Sequence, residues 1–234
     1  TDNVVGEIQK ALKRIGQVEN ALFIFSSDNG CSKAAGIGAL AKQGHVVSAH
    51  LRGSKADLWD GGHRIPFIVK WPGKVKPGSE SDQLICLTDL FATMSELVGA
   101  ELPKDSAEDS VSLLPALSGA KIVSTRNGVI HHSISGHFAY RQGPWKLLLA
   151  RASGGWSSPK ENQAQKGYPP AQLYDMEADV GERKNLYLEK PEVAKKLLSL
   201  LKEDIKRGRS TKGSASKNDV GKIVLWKNGT PKSK

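Results

Sequence analysis

The stretch Leu22-Phe23-Ile24-Phe25-Ser26-Ser27-Asp28-Asn29-Gly30 constrains the fold more than any other part of the chain. Four large apolar residues in a row predict a short buried strand, and Asp28-Asn29-Gly30 ends it abruptly. In open α/β sheets, ligands sit just beyond the carboxyl ends of strands. A carboxylate and an amide oxygen placed there suit a hard cation such as Ca²⁺ or Mg²⁺ better than a thiolate or imidazole metal. Successive residues of an extended strand point to opposite faces. Asp28 and Asn29 can therefore reach one ion only if the backbone turns between them, and Gly30 permits a sharp turn. The same three residues also read as a plain turn, since Asn-Gly is a common turn signal.

Around this stretch the chain alternates element types. Val4, Val5, Ile8, Leu12, Ile15 and Val18 recur at helical spacing and predict an amphipathic helix that leads into the strand, one αβ unit. Cys31 to His45 is rich in small residues and glycines and reads as a loop with at most one helical turn. A second strand is expected over Ile65–Trp71, ended by Pro72-Gly73. Thr88 or Asp89 can cap a helix through Leu90, Phe91, Met94, Leu97 and Val98, with Gly99 as its stop. A domain boundary is placed near Gly119, dividing the chain into residues 1–118 and 119–234. Beyond it the period shortens to that of strands at Gly128–His132, His137–Gln142 and Trp145–Leu149. Gln142-Gly143-Pro144 reads as a hairpin turn. Arg151–Gln172 is a long polar loop, Leu173-Tyr174-Asp175 a short fourth strand, and Val193, Leu197, Leu198, Leu201 and Ile205 a closing helix.

The totals exclude few functions. No apolar run approaches the roughly 20 residues that span a bilayer, so no transmembrane segment is expected. Thr1 does not look like a natural start, and the chain reads as a fragment. Cys31 and Cys86 form neither a CxxC pair nor a metal cluster. The net charge of +10 is a property of one end: residues 183–234 carry 15 Lys/Arg against 5 Asp/Glu, and the first 182 residues carry 19 of each. A basic end attracts polyanions in general, and it also reads as a solvated helix followed, from about Gly208, by a Ser/Gly/Lys-rich tail. No nucleic-acid-binding motif is present, and no nucleic-acid partner is expected.

A second group of chemically interesting residues, Arg52-Gly53-Ser54-Lys55 and Asp60-Gly61-Gly62-His63-Arg64-Ile65-Pro66, precedes the second strand. Close glycines let backbone approach a ligand. Lys55 supplies a point charge for an oxyanion and Arg64 a planar fork. Read alone, these residues also describe a basic surface loop with Arg64 in a structural ion pair. His63 lies inside the Gly-rich segment and is a candidate on the substrate side. Trp156 and Tyr168, on the long loop, either anchor it or offer ring faces to a sugar.

In this order, Ser27-Asp28-Asn29-Gly30, Leu51-Arg52-Gly53-Ser54-Lys55, Trp59–Pro66, Trp71-Pro72-Gly73, Thr88-Asp89-Leu90, Arg141–Leu147 and Leu173-Tyr174-Asp175 through Glu182 to Asn185-Leu186 resemble the C-terminal half of a type I, formylglycine-dependent sulfatase. The resemblance covers nearly the whole chain and weakens only in the tail. It implies an α/β, alkaline-phosphatase-like fold: the C-terminal part of the large α/β domain, then a small antiparallel sheet packed with a helix. It implies that Asp28 and Asn29 bind a calcium ion that also holds the sulfate, and that Lys55 contacts the sulfate. Asp60 stands where the family commonly has Glu before the paired glycines, and is taken, with Arg64, as framework. The family's C/S-x-P/A-x-R nucleophile motif is matched neither by Cys31-Ser32-Lys33-Ala34-Ala35 nor by Cys86-Leu87-Thr88-Asp89-Leu90. The formylglycine is therefore expected in an N-terminal part that the chain lacks, and the chain alone is expected to be catalytically silent. Sulfate esters, chiefly of sulfated carbohydrates, are the implied substrates, and a periplasmic, extracellular or lysosomal setting the implied location. The rival readings are a related metal-dependent phosphohydrolase and a non-catalytic polyanion-binding module.

Overall fold

The computed structural model describes residues 1–103, 105–122 and 126–229. In chain order its elements are α1 (Asp2–Arg14), β1 (Phe23–Ser26), α2 (Ile37–Lys42), β2 (Phe67–Lys70), α3 (Asp89–Leu97), α4 (Leu114–Leu117), β3 (Val129–His132), β4 (Phe138–Gln142), β5 (Trp145–Leu148), β6 (Gln172–Asp175) and α5 (Pro191–Arg207). Two compact units share them. The first comprises Thr1–Ser27, Pro66–Pro103 and Ser110–Ser124, and the second Asp28–Ile65, Lys104–Asp109 and Thr125–Lys234.

In the first unit, β1 and β2 pair antiparallel, Phe23 opposite Lys70 and Ser26 opposite Phe67. The apolar run of β1 is half-buried rather than fully buried. α1 forms as its period predicts, yet none of its residues is buried, and Val4, Ile8 and Ile15 are exposed. The start of α3 differs from expectation. Thr88 makes no side-chain cap, and Asp89, fully buried, instead accepts the backbone N–H groups of Cys86 (2.8 Å) and Val111 (3.0 Å). Thr93 Oγ1 accepts the N–H of Leu113 at 2.9 Å, so α3 holds the 110–113 strip through side chains.

The second unit is built on a four-stranded antiparallel sheet in the order β3-β4-β5-β6. Period-2 alternation gives it two buried faces. Tyr140, Leu147 and Leu173 point to one face and pack with Leu197 and Leu201 of α5. Burying a leucine of this kind contributes roughly 1.5–3 kcal/mol. Tyr140 Oη also donates to Asp204 Oδ2 on α5 at 2.8 Å. Pro191 opens α5 and Gly208, at φ 66°, closes it in the left-handed conformation that glycine tolerates. On the opposite face, Ala139, Leu148 and Tyr174 pack with Leu58 and Trp59. That face is the platform for the Gly-rich segment.

Two expectations change here. Cys31–His45 holds a six-residue helix, α2, beyond the single turn expected. The basic tail is partly folded: Ser210 and Thr211 are buried, Thr211 N–H bonds Glu108 O at 3.1 Å, and Ile223, Leu225 and Trp226 pack against the α5 core. Its last five residues lie outside the described residues.

Candidate functional site

Glycine backbone interlocks three segments of the second unit. Gly30 N–H bonds Gly62 O at 2.9 Å, Gly61 N–H bonds Arg52 O at 2.7 Å, and Lys55 N–H bonds Cys31 O at 3.0 Å. A Cβ on Gly30 would run into the carbonyl of Gly61, and one on Gly61 into the carbonyls of Gly53 and Arg52. Only glycine lets these backbones come so close. The result is a cradle that joins the Asp28-Asn29-Gly30 turn to the segment carrying Lys55. Ala56, next to Lys55, has φ +86°, a conformation a residue with a Cβ rarely adopts. Its carbonyl accepts the N–H of Ile134 at 3.0 Å, and Gly155 packs against it. Local geometry at Lys55 is thus imposed by its neighbours.

Asp57 ties the long loop to the cradle. Its Oδ1 accepts the N–H groups of Trp156 (2.8 Å) and Ser157 (2.9 Å), and its Oδ2 that of Ser54 (2.9 Å). Glu161 folds the loop on itself by accepting from Ala152 at 2.8 Å and Gly154 at 3.1 Å. Trp156 and Tyr168 are both exposed, so hydrogen bonds, and not burial of these rings, anchor the loop.

Under the cradle lies an ion cluster. Lys146, on β5 and wholly buried, donates to Asp60 Oδ1 at 2.6 Å and to Glu182 Oε1 at 2.8 Å. Glu182 Oε2 accepts the backbone N–H of Asp60 at 2.5 Å. Glu182 itself sits at φ +53°, held there by these bonds and by Arg52, whose Nη1 donates to its carbonyl at 2.8 Å. Burial raises the carboxyl pKa of Asp60, but the Lys146 ammonium and then His63 outweigh it and hold Asp60 well below the usual carboxylate range. Burial leaves Glu182 raised, since one ammonium cannot fully compensate two carboxylates. Arg64 lies farther out, 3.6 Å from Asp60 Oδ2 and half-exposed.

The His63 ring lies against that of His131 of β3, centroids 3.7 Å apart, and its Nε2 lies 3.4 Å from Asp60 Oδ1. Burial, then the Lys146 charge, pushes His63 down to about 4 against the opposing pull of Asp60. His131 is pushed well below its ordinary value by burial first. Both shifts favour the neutral ring, so like-charge repulsion does not oppose this contact, in which the ring planes are tilted by 35°.

Asp28, Asn29, Lys55 and His63 therefore all border one cradle. Asp28 is exposed, Asn29 and Lys55 half-buried, and Lys55 is bound through its backbone while its ammonium has no partner among the described residues. The donor set fits calcium chemically: a carboxylate and an amide oxygen, with no soft ligand. It is also incomplete, since no group of three or more His, Cys, Asp or Glu able to hold a metal occurs among the described residues. Sequence reasoning missed the structural weight of Lys146, Glu182 and Asp57. A lysine inside the apolar run Trp145–Leu149 was the available signal for the first.

The arrangement is a glycine-tied cradle that brings an acid, an amide and a lysine to one place beside a four-stranded antiparallel sheet. Comparison with known proteins then gives the family. The sulfatase family model matches residues 1–100, and the model for the C-terminal region of N-sulphoglucosamine sulphohydrolase matches residues 54–151. The N-acetylgalactosamine-6-O-sulfatase of Bacteroides thetaiotaomicron is 34% identical over 206 residues, covering 86% of this chain and 39% of that protein. The N-acetylgalactosamine-6-sulfatase of Canis lupus familiaris is 37% identical over 121 residues, 52% of this chain and 22% of that protein. A solved structure from a glycosaminoglycan-metabolism locus of Bacteroides thetaiotaomicron superposes with a TM-score of 0.71 at 31% identity, covering 88% of this chain and 43% of that one. The chain belongs to the sulfatase family, as a C-terminal portion with the alkaline-phosphatase-like fold of its members. It spans about two fifths of the length of the Bacteroides relative.

Proposed function

We propose that the complete protein is a sulfatase, a sulfuric ester hydrolase acting on sulfated carbohydrates. In this reading residues 1–118 belong to the catalytic α/β domain and 119–234 to the C-terminal subdomain. The observation that carries it is the glycine cradle, which joins the Asp28-Asn29 turn to the Lys55 segment through the Lys55–Cys31 and Gly30–Gly62 backbone bonds. The carbohydrate is favoured because a relative 34% identical over 206 residues, covering 86% of this chain, is by name an N-acetylgalactosamine-6-O-sulfatase.

Asp28 and Asn29 would hold a calcium ion. When bound, that ion stabilises negative charge on the sulfate oxygens. The nucleophile, a formylglycine in this family, would come from outside residues 1–234. Lys55 carries the chain's own chemistry. Its ammonium binds a sulfate oxygen, or gives a proton to the leaving alkoxide, where charge builds up in the transition state. The imposed backbone at Ala56 fixes where the Lys55 side chain leaves the main chain. His63, neutral at pH 7, lies on the substrate side of the cradle. Asp60, Lys146 and Glu182 hold the segment that presents both. The relevant setting is periplasmic, extracellular or lysosomal, as is general in the family; among the described residues no helix is long and apolar enough to cross a membrane.

The test is sulfate release by the complete protein, supplied with Ca²⁺, from an aryl sulfate and from N-acetylgalactosamine 6-sulfate. Hydrolysis of at least one is expected. Release of phosphate from an aryl phosphate, with neither sulfate ester cleaved, would replace this reading by a phosphohydrolase.

A further inference from the structure

A cleft of about 510 Å³ opens in the second unit between the Lys33–Ala39 segment and the long loop at Ser157-Ser158. Lys33, Arg52, Ser54, Trp59, Ser157 and Ser158 supply its functional lining, and no carboxylate among the described residues lines it. Of the acidic residues close in sequence, Asp60, next to Trp59, is buried and paired with Lys146, and Asp57 is buried with both its oxygens already accepting backbone N–H groups.

Arg52 is oriented by contacts that use only part of it. Its guanidinium lies over the Trp59 ring, 3.6 Å from the centroid, and its Nη1 donates to Glu182 O at 2.8 Å and to Tyr174 Oη at 3.4 Å. The Nε–Nη2 edge has no hydrogen-bond partner among the described residues. Two parallel N–H groups on a fixed plane are the geometry that grips an oxyanion bidentately. Lys33 is exposed and spends one of its three donors on Trp156 O. Ser54 Oγ and Ser157 Oγ, 3.2 Å apart, add hydroxyls across the cleft.

The geometry points to a second anion subsite. We propose that this cleft takes a second anionic group on the same glycan, a sulfate or a uronate carboxylate, beside the ester that Lys55 handles. Adjacency follows from the chain: Ser54 lines the cleft and precedes Lys55, and Lys33 lies two residues after Cys31, whose carbonyl accepts the Lys55 N–H. The inference rests on the reading of Asp28, Asn29 and Lys55 as the sulfate site. It makes the enzyme selective for polyanionic sugars over simple monosulfates.

The experiment uses the complete protein and its Lys33→Met and Lys33→Arg variants. Three probes are compared: N-acetylgalactosamine 6-sulfate, its 4,6-disulfate, and a disaccharide joining a uronate to N-acetylgalactosamine 6-sulfate. For each two-anion probe, the readout is its kcat/KM divided by that of the monosulfate. Lys33→Met is expected to lower that ratio about tenfold, the size of one charge-assisted hydrogen bond, while Lys33→Arg keeps it. The probe whose ratio falls tells whether the source is a sulfate or a uronate. Ratios that do not move in Lys33→Met overturn the assignment. Calorimetric binding of the same probes separates this failure from that of the sulfatase reading. If no sulfate is released from any probe, the ratio of dissociation constants still reads the cleft, and equal affinity of the wild type for all three overturns it.

Discussion

Lys146→Met isolates the buried ion cluster. The methionine keeps an unbranched apolar stem of similar reach and removes only the ammonium. In the native protein that ammonium serves two carboxylates, Asp60 at 2.6 Å and Glu182 at 2.8 Å, with all three residues buried. Removing one partner of a buried pair typically costs about 3–5 kcal/mol, because a charge is left uncompensated away from water. Here two carboxylates lose the same partner, so the upper part of that range is expected at pH 7. The pH dependence gives a second handle. In the wild type, the lowered pKa of Asp60 contributes stability that is present above the ordinary carboxylate range and is lost as pH falls through it. In the variant both carboxyls are raised, so the folded state binds more protons than the unfolded one and loses stability as pH rises. The gap between the two proteins should therefore widen from pH 5 to pH 7. Urea unfolding of the complete protein, followed by tryptophan fluorescence at both pH values, measures it. Hydrogen exchange over residues 145–149 localises the effect. Adding Glu182→Gln to Lys146→Met should restore part of the loss by removing one of the stranded charges. A loss below about 1 kcal/mol at pH 7, as expected of an exposed pair, would refute the reasoning. A loss independent of pH would do the same.

Two further outcomes follow from the cradle. Gly61→Ala places a Cβ against the carbonyls of Gly53 and Arg52, so the backbone must move; a loss of about 1–3 kcal/mol in stability and a fall in kcat are expected from unfolding and steady-state measurements. Asp28→Ala should weaken calcium binding by the complete protein far more than Asn29→Ala, because it removes the charged ligand; an unchanged calcium titration of Asp28→Ala would remove Asp28 from the metal site.

The local parts of this fold were legible in the sequence because local rules decide them. The 3.6-residue period gave α1 and α5, alternation gave β3 to β5, and Gly143 marked the hairpin. Long-range pairing was not legible in the same way. The run Leu22–Phe25 signals burial, but the sequence does not say that β1 pairs antiparallel with β2 and stays half-buried. The basic count from Arg183 onward suggested a solvated end, yet Thr211 and Trp226 are tied back by contacts distant in sequence. At the site, Asp28, Asn29 and Lys55 could be singled out from residue chemistry and the family resemblance. Why they stand together could not, since it depends on Gly30 meeting Gly62 and on Lys146 reaching back to Asp60. Cys31–His45 hid a short helix because its glycines argue for a loop, and four of its six helical residues, Ile37, Ala39, Leu40 and Ala41, carry only a weak apolar pattern.

The role of Lys55 is the most direct measure of whether this cradle is a sulfatase site. The measurement is kcat/KM of the complete protein and its Lys55→Ala variant on one sulfate ester, with folding checked by circular dichroism. Loss of one transition-state donor should lower kcat/KM by about 10²-fold, equivalent to about 2.7 kcal/mol, with little change in stability because the Lys55 ammonium supports no contact among the described residues. Full turnover by a folded Lys55→Ala protein would make Lys55 a surface residue and would contradict the assignment of the cradle.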